Sequence, residues 1–332
     1  MAVLYITSDR SGAGKTALSA SLASIFAENG LATGVIKPLA GPDDTDASAF
    51  SALLGITHDS QTASPPSGGV SPAIADSVKE ACDAAQDGKD VLIVEGASSL
   101  SMQDHATLAD ALDAAVIVVA GHTPGMDTDP LAGWAEHMGD RLLGFLVNGV
   151  TRYQERDVAT RLLPAMEAQG LKSLGAILED RRLLGVSVAQ IAEHLDGRYL
   201  SGESLDDGLV EHFMVGGMGM DSGRDYFALH DNKATIVRGD RPDIQMASLQ
   251  TPTTCMVLTE GTDPIEYVLN EAELEEVPIV VTESDTLATM KALNGVQKRA
   301  RFSHPAKLAR YSELLEQHAD LEAIRTRLTP TT

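Results

Sequence analysis

Cysteine occurs only twice in this chain, tryptophan once, and the aromatic residues together make up 4% of it. Two thiols cannot staple a disulfide scaffold, so the fold must rest on an ordinary apolar core. Cys82 falls in a helical pattern and Cys255 in a strand pattern, in no metal-ligand spacing, and both read as buried side chains. Positive charge is also scarce: 25 Lys and Arg stand against 48 Asp and Glu, a formal net charge of -23. That balance excludes a surface devoted to nucleic acid or to anionic lipid, because both need concentrated positive charge. An anionic ligand must therefore be held by a local site. Long apolar runs are missing as well. The run Ala2 to Ile6 is far too short for a signal-peptide core or a membrane span, so the expectation is a cytoplasmic protein with no membrane partner.

What the chain does have is 332 residues, 43% of them hydrophobic, enough for two domains. The first part alternates short β-branched runs with helical stretches, the pattern of a doubly wound parallel α/β sheet. Strands are expected at Val3–Thr7, Thr33–Lys37, Asp90–Glu95, Ala115–Ala120, Leu142–Val147 and Ser173–Leu178. The unbroken apolarity of residues 91–94 and 115–119 implies helices on both faces of that sheet. A helix over Val188–Leu195 and a polar stretch at 201–208 place the end of the first domain near residue 200. Alternation restarts beyond Glu211, giving a smaller α/β domain over 209–300. The tail 301–332 carries Leu308, Tyr311, Leu314, Leu315, Leu321 and Ile324 at helical spacing, an amphipathic helix or pair of helices that could pack on its own core alone or also across a two-fold axis in a homodimer.

The most informative segment is Ser8 to Thr16, directly after the first strand and leading into a helix from Ala17. A phosphate loop needs small residues so that successive backbone N–H groups can point inward, and Ser11, Gly12, Ala13 and Gly14 supply them. Lys15 would meet the β/γ-phosphates and Thr16 would ligate Mg²⁺. The pattern G-x-x-x-x-G-K-[ST] would ask for glycine at position 9, where this chain has Asp9. A Mg²⁺ site needs further hard oxygen ligands, and Glu95 closes a neighbouring strand. Asp46 is either such a ligand or the N-cap of the helix that follows it, with Asp44 as a competitor. Lys37 ends a strand just before Pro38, where an unpaired lysine is less expected than on a helix surface.

These residues carry a resemblance. Ser8 to Thr16, Val35 to Pro38, Val94 to Ala97 and Leu146 to Asn148 look like the ATP-binding fold of dethiobiotin synthetase and the related cobyrinic acid amidases. The resemblance implies that Lys15 and Lys37 surround the phosphates, that Thr16, Asp46 and Glu95 form the metal site, and that Asn148 contacts adenine. It also marks departures: Ala40-Gly-Pro42 and Ser98-Ser99 replace that family's substrate-binding segments. Arg10 stands where another phosphate-loop class has a lysine that reaches across a dimer, but a planar guanidinium is no simple substitute for an ammonium.

In the second half, Val215 to Gly219, Arg238 to Pro242, Leu258 to Gly261, Val277 to Val280 and Ser284 to Thr286 form an ordered set that looks like the DRTGG domain. Pro242 suits a first helical turn with Asp240 as its cap, and Gly216, Gly217 and Gly219 would let a backbone approach a ligand closely. The order of the two halves is similar to the amino-terminal regulatory half of long phosphate acetyltransferases, with too few residues after position 300 for the transferase domain, so acetyl transfer by this chain alone is not expected. Two functions follow. One is a regulatory protein binding Mg²⁺ and ATP or another nucleotide at the phosphate loop, with a small-molecule effector at the DRTGG domain and a metabolic partner enzyme. The other is an ATP-dependent ligase acting on a small carboxylate or carbamate, which requires an organic-acid pocket beside Lys37.

Overall fold

The computed structural model describes residues 2–41, 44–55, 63–217 and 223–328. The chain forms two compact units, one from Met1–Asp180 together with Pro305–Thr332, the other from Arg181–His304. The first contains β1 (Ala2–Ser8), α1 (Lys15–Glu28), β2 (Thr33–Ile36), α2 (Asp46–Leu54), α3 (Pro72–Ala85), β3 (Val91–Glu95), α4 (Met102–Ala111), β4 (Ala115–Gly121), α5 (Asp129–Met138), β5 (Leu142–Val150) and β6 (Ser173–Leu178). Its six strands lie in the order β2-β3-β1-β4-β5-β6, every pair parallel. Both β3 and β4 are buried along their whole length, as their unbroken apolar runs require of strands covered on two faces. From β1 the chain crosses to β2, returns through β3 and then passes to β4 on the far side of β1. Connections leaving a central strand in opposite directions open a crevice at its carboxyl end, which places the loop 9–14 at a ligand-binding position.

The tail belongs to this first unit. Its two helices, Pro305–His318 and Leu321–Leu328, bury Tyr311, Leu314, Leu315, Ile324 and Leu328. Asp320 N–H donates to the Leu174 carbonyl at 2.8 Å, and Gly175 bridges Ala319. A Cβ at Gly175 would come within 2.1 Å of the His318 carbonyl, so only glycine permits this approach. The apolar stripe of the tail is thus covered by its own chain.

The second unit begins earlier than residue 209. Strand β8 (Arg198–Ser201) pairs antiparallel with β13 (Ile279–Val281), completing the five-stranded order β10-β11-β12-β13-β8 with β10 (His212–Val215), β11 (Lys233–Arg238) and β12 (Thr253–Thr259). A short antiparallel pair joins β7 (Val186–Ser187) to β9 (Leu209–Val210). The helix Val188–Leu195 starts at a capping box between Ser187 and Gln190 and buries Val188, Ile191 and Leu195 in one cluster with Ala234, Val257 and Val280. Its apolar face therefore belongs to the second core, and residues 181–200 go with that unit. Cys82 and Cys255 are buried free thiols, as expected.

One buried group in the first core carries a pH dependence. His105 on α4 is 2% exposed, its Nδ1 lies 2.8 Å from the Tyr5 hydroxyl, and its ring meets Trp134. Burial, reinforced by the Lys15 ammonium, pulls its pKa down to about 4. The unfolded chain binds this proton near pH 6.5, so the contribution is present above that pH and is lost as pH falls towards about 4. Urea unfolding at pH 7 and pH 4.5 should show wild type losing about 2–3 kcal/mol more than His105→Gln. Equal losses would show that His105 is not the titrating group.

Candidate phosphate and metal site

Strand β1 ends at Ser8 and α1 starts at Lys15, so the intervening loop delivers the unpaired N–H groups of a helix start to the crevice. Gly14, the residue before the helix, has φ +101° and no side chain to cap it, and no acidic residue lies in the first turn. Nothing of the helix's own thus competes for an anion there. A Cβ on Gly14 would fall 2.2 Å from Asn148 Nδ2, which reserves the position for glycine.

Lys15 is only 5% exposed. Its Nζ donates to Ser8 Oγ at 3.0 Å and to Ser98 Oγ at 2.6 Å, both neutral hydroxyls. Burial, aided by the Lys37 ammonium, lowers its pKa from the ordinary lysine value, while Glu95, Asp46 and Asp44 pull the other way. Lys37 follows β2 and is placed quite differently. Its ammonium meets Asp44 at 2.7 Å, Glu95 at 3.2 Å and Asp46 at closer range. Burial alone would lower its pKa, but Glu95 and the bonds to Asp44 and Asp46 outweigh that and raise it.

Glu95, at the end of β3 and 1% exposed, accepts from Thr16 Oγ1 at 3.2 Å and from Ser19 Oγ at 3.3 Å. Burial pushes its pKa up to about 7, with Lys37 acting in the opposite sense. Asp46 is the first residue of α2, not its cap, because the cap position is Thr45. Its carboxyl faces Lys37, whose ammonium overcomes burial to lower its pKa. Asp44 is both the second carboxylate on Lys37 and the acceptor for Asp46 N–H at 2.9 Å. The structure therefore brings Lys15, Thr16, Lys37, Asp46 and Glu95 to one edge together with Asp44, the competitor of Asp46, and adds Ser98.

Asn148, near the end of β5, lies on the other flank of the loop. Its Nδ2 donates to the Ala13 carbonyl at 2.7 Å, and its Oδ1 accepts from the Tyr311 hydroxyl at 3.0 Å. Asp9, in place of the motif's glycine, accepts from Gly121 N–H at 2.9 Å, which ties the loop to the end of β4. Arg10 bonds Asp9 at 3.0 Å and the Gly121 carbonyl, so in this conformation it folds back onto its own chain. Ser98 and Tyr311 escaped the sequence reading. The serine lay in a segment marked only as a departure, and the tyrosine's helical spacing signalled nothing beyond burial.

Among the described residues no three His, Cys, Asp or Glu side chains form a ready metal cage. Mg²⁺ commonly takes one or two carboxylates with water and phosphate oxygens, so the oxygen set of Thr16, Asp46 and Glu95 suits that ion as part of a nucleotide complex.

In the second unit, the carboxyl ends of β10 to β13 gather Gly216, Gly217, Arg238 to Arg241 and Glu260 to Thr262. Gly219 lies outside the described residues. Asp240 is not the cap of the helix Pro242–Leu249; Arg241 occupies that position, and Asp240 pairs with Arg238 at 2.6 Å.

Comparison with known proteins agrees with this architecture. The chain belongs to the AAA domain family, whose model matches residues 2–185. A DRTGG domain follows over residues 190–296. The phosphate acetyltransferase of Deinococcus radiodurans is 23% identical over 370 residues, covering 99% of this chain and 51% of that protein. The chain thus spans about half the length of that relative, in keeping with its resemblance to a phosphate acetyltransferase amino-terminal half. Among solved structures, the MinD cell division protein of Aquifex aeolicus is 17% identical, covering 55% of this chain and 84% of its own, with a TM-score of 0.39. The CBS and DRTGG domains of the regulatory region of Clostridium perfringens pyrophosphatase are also 17% identical, covering 45% and 72%, with a TM-score of 0.30.

The site's charge balance can be checked by substitution. Lys37→Met leaves Asp44, Asp46 and Glu95 facing one another without their shared cation. Removing one partner of a buried ion pair costs about 3–5 kcal/mol, so urea unfolding at pH 8 should show a loss of about 3 kcal/mol. Adding Glu95→Gln should restore part of it. A double variant no more stable than Lys37→Met would mean that the carboxylates do not depend on this lysine.

Proposed function

We propose that the first unit binds a nucleoside triphosphate, ATP, together with Mg²⁺, and that the protein is a regulatory module whose second unit takes a small-molecule effector and whose state is read by a partner enzyme. The observation that carries this is Lys15. An ammonium buried at a helix start and held, among the described residues, by two neutral hydroxyls is costly unless an anion joins it, and the adjoining N–H groups favour the same charge. Phosphate fits that position. Thr16, Asp46 and Glu95 would hold the Mg²⁺, which supplies charge neutralisation to the phosphates, and Lys37 stands beside them.

A ligase reading asks for a free cation to receive a carboxylate substrate. Lys37 is already engaged by three carboxylates of its own chain and Ser98 by Lys15, which favours binding over ligation. For the second unit, support comes from loops gathered at the carboxyl ends of parallel strands, where open α/β sheets take ligands. We assign acetyl transfer to neither unit.

Calorimetry with Mg·ATP on wild type and Lys15→Ala tests the first unit. The variant should lose about 10–150-fold in affinity, the scale of a charged hydrogen-bonding partner removed from a buried site. Equal affinity in the two proteins would sink the assignment. Effector action is tested by screening metabolites for a thermal shift and titrating ATP with and without each hit. Coupling should appear as a change of about 5–150-fold, equal in both directions.

A further inference from the structure

We infer that Ser98 is a direct ligand of the phosphate bound at Lys15, a second donor supplied by the loop after β3 and not by the phosphate loop. The inference rests on the nucleotide reading of the site and adds to it a residue from a segment marked in the sequence only as a departure.

The hydrogens around Lys15 carry it. An ammonium has three N–H groups and accepts nothing, so each hydroxyl it meets must act as the acceptor. Lys15 spends one N–H on Ser8 Oγ at 3.0 Å and one on Ser98 Oγ at 2.6 Å, which leaves one. The two serines then differ. A carbonyl can only accept, so Ser8, whose Oγ lies 2.7 Å from the Arg10 carbonyl, has its own hydrogen committed there. Ser98 has no such acceptor among the described residues, and its hydroxyl keeps a hydrogen to give. Ser98 is exposed while Lys15 is buried, so that hydrogen is open to a ligand. An N–H and an O–H, on atoms 2.6 Å apart, thus remain to be filled at one point. Both are donors, and beside a buried ammonium the group they suit is an anion. A phosphate has oxygens enough to meet this pair and the N–H groups at the start of α1 together, whereas a carboxylate has only two.

The place of Ser98 is fixed from both sides. Gly96 N–H donates to the Ile6 carbonyl at 2.9 Å, and a Cβ on Gly96 would fall 2.5 Å from the Tyr5 hydroxyl, so the chain leaves β3 by a path that only glycine permits. Ala97 and Leu100 are buried, and Ser101 with Asp104 forms the capping box that starts α4. Asp104 also accepts Val70 N–H at 2.6 Å. Ser98 and Ser99 are the exposed residues between these anchors. A hydroxyl held in this way loses little freedom when it takes a phosphate oxygen.

Calorimetry on the full chain with Mg·ATP and with magnesium tripolyphosphate compares wild type, Ser98→Ala and Ser99→Ala. A hydrogen bond to a charged group sets the scale, so Ser98→Ala should lose about 10–150-fold for both ligands alike, because the contact is to phosphate and not to base or sugar. Ser99→Ala should bind as wild type does. A Ser98→Ala affinity within the error of wild type, a loss for ATP without one for tripolyphosphate, or an equal loss in Ser99→Ala overturns the proposal and leaves the phosphate site standing. A crystal structure of the wild-type complex separates contact from mere support of Lys15. A phosphate oxygen within about 3.2 Å of Ser98 Oγ is expected, and a Ser98 that touches only Lys15 overturns the proposal even where Ser98→Ala binds weakly. Wild type that binds neither ligand removes the nucleotide reading and this proposal together.

Discussion

Two lysine ammonium groups buried at the carboxyl edge of one parallel sheet set the terms for everything around them. Lys15 and Lys37 are each 5% exposed, in a chain whose overall charge is strongly negative. A buried cation must be paired or bonded, and the two are treated differently. Lys37 is enclosed by Asp44, Asp46 and Glu95, a site whose negative charges exceed its positive one when all are ionised. Lys15 has Ser8 and Ser98, which share its hydrogens and neutralise nothing. The asymmetry separates an edge with spare carboxylate oxygen from an edge with spare positive charge, one disposed towards a cation and the other towards an anion. A metal-bound polyphosphate has both kinds of group in one ligand.

Glu95 is the hinge of that arrangement. It is the most buried carboxyl in the site, and it receives Thr16, Ser19 and Lys37 together. Burial raises its pKa to about 7, which leaves it poised between an acceptor and a neutral acid. A divalent cation close by would favour the ionised form, because it supplies the opposite charge that burial withholds. The side chains needed for that exchange are placed by the end of β3 and the start of α1, against a sheet whose central strands are buried. Preorganisation here comes from the core, since strands buried on both faces cannot shift to suit a ligand.

The legibility of this site followed the range of the interactions involved. The strands β1, β3 and β4, the phosphate loop and the helix after it were readable because each depends on local apolar runs and small residues in series. Asp46 as ligand or cap could not be separated in sequence, since both ask for an acidic residue at a helix start; the structure puts Thr45 at the cap and Asp46 against Lys37. Strands β7, β8 and β9 run two to four residues and have too little pattern to announce themselves. The boundary was set at a polar stretch, 201–208, but what decides membership is which core an apolar face enters, and Val188, Ile191 and Leu195 enter the second. Asp240 is not the cap because the helix starts at Pro242 and leaves the cap position to Arg241.

The tail shows why contiguous reading fails for this chain. The first unit is completed by residues that come after the whole of the second, so its sequence is split and its core is closed last. The closure is specific: Tyr311, Leu314 and Leu315 are buried, Gly175 lacks the Cβ that would collide with His318, and Arg310 bonds Asp180, the last residue before the chain leaves for the second unit. Ordering the tail costs conformational entropy for every residue it fixes, and burial of its apolar stripe is what offsets that cost. Because the same helix carries the hydroxyl that meets Asn148, the apolar burial that closes the first unit and the polar contact that reaches its phosphate loop are one packing event, and a change that loosens the tail must be felt at the loop.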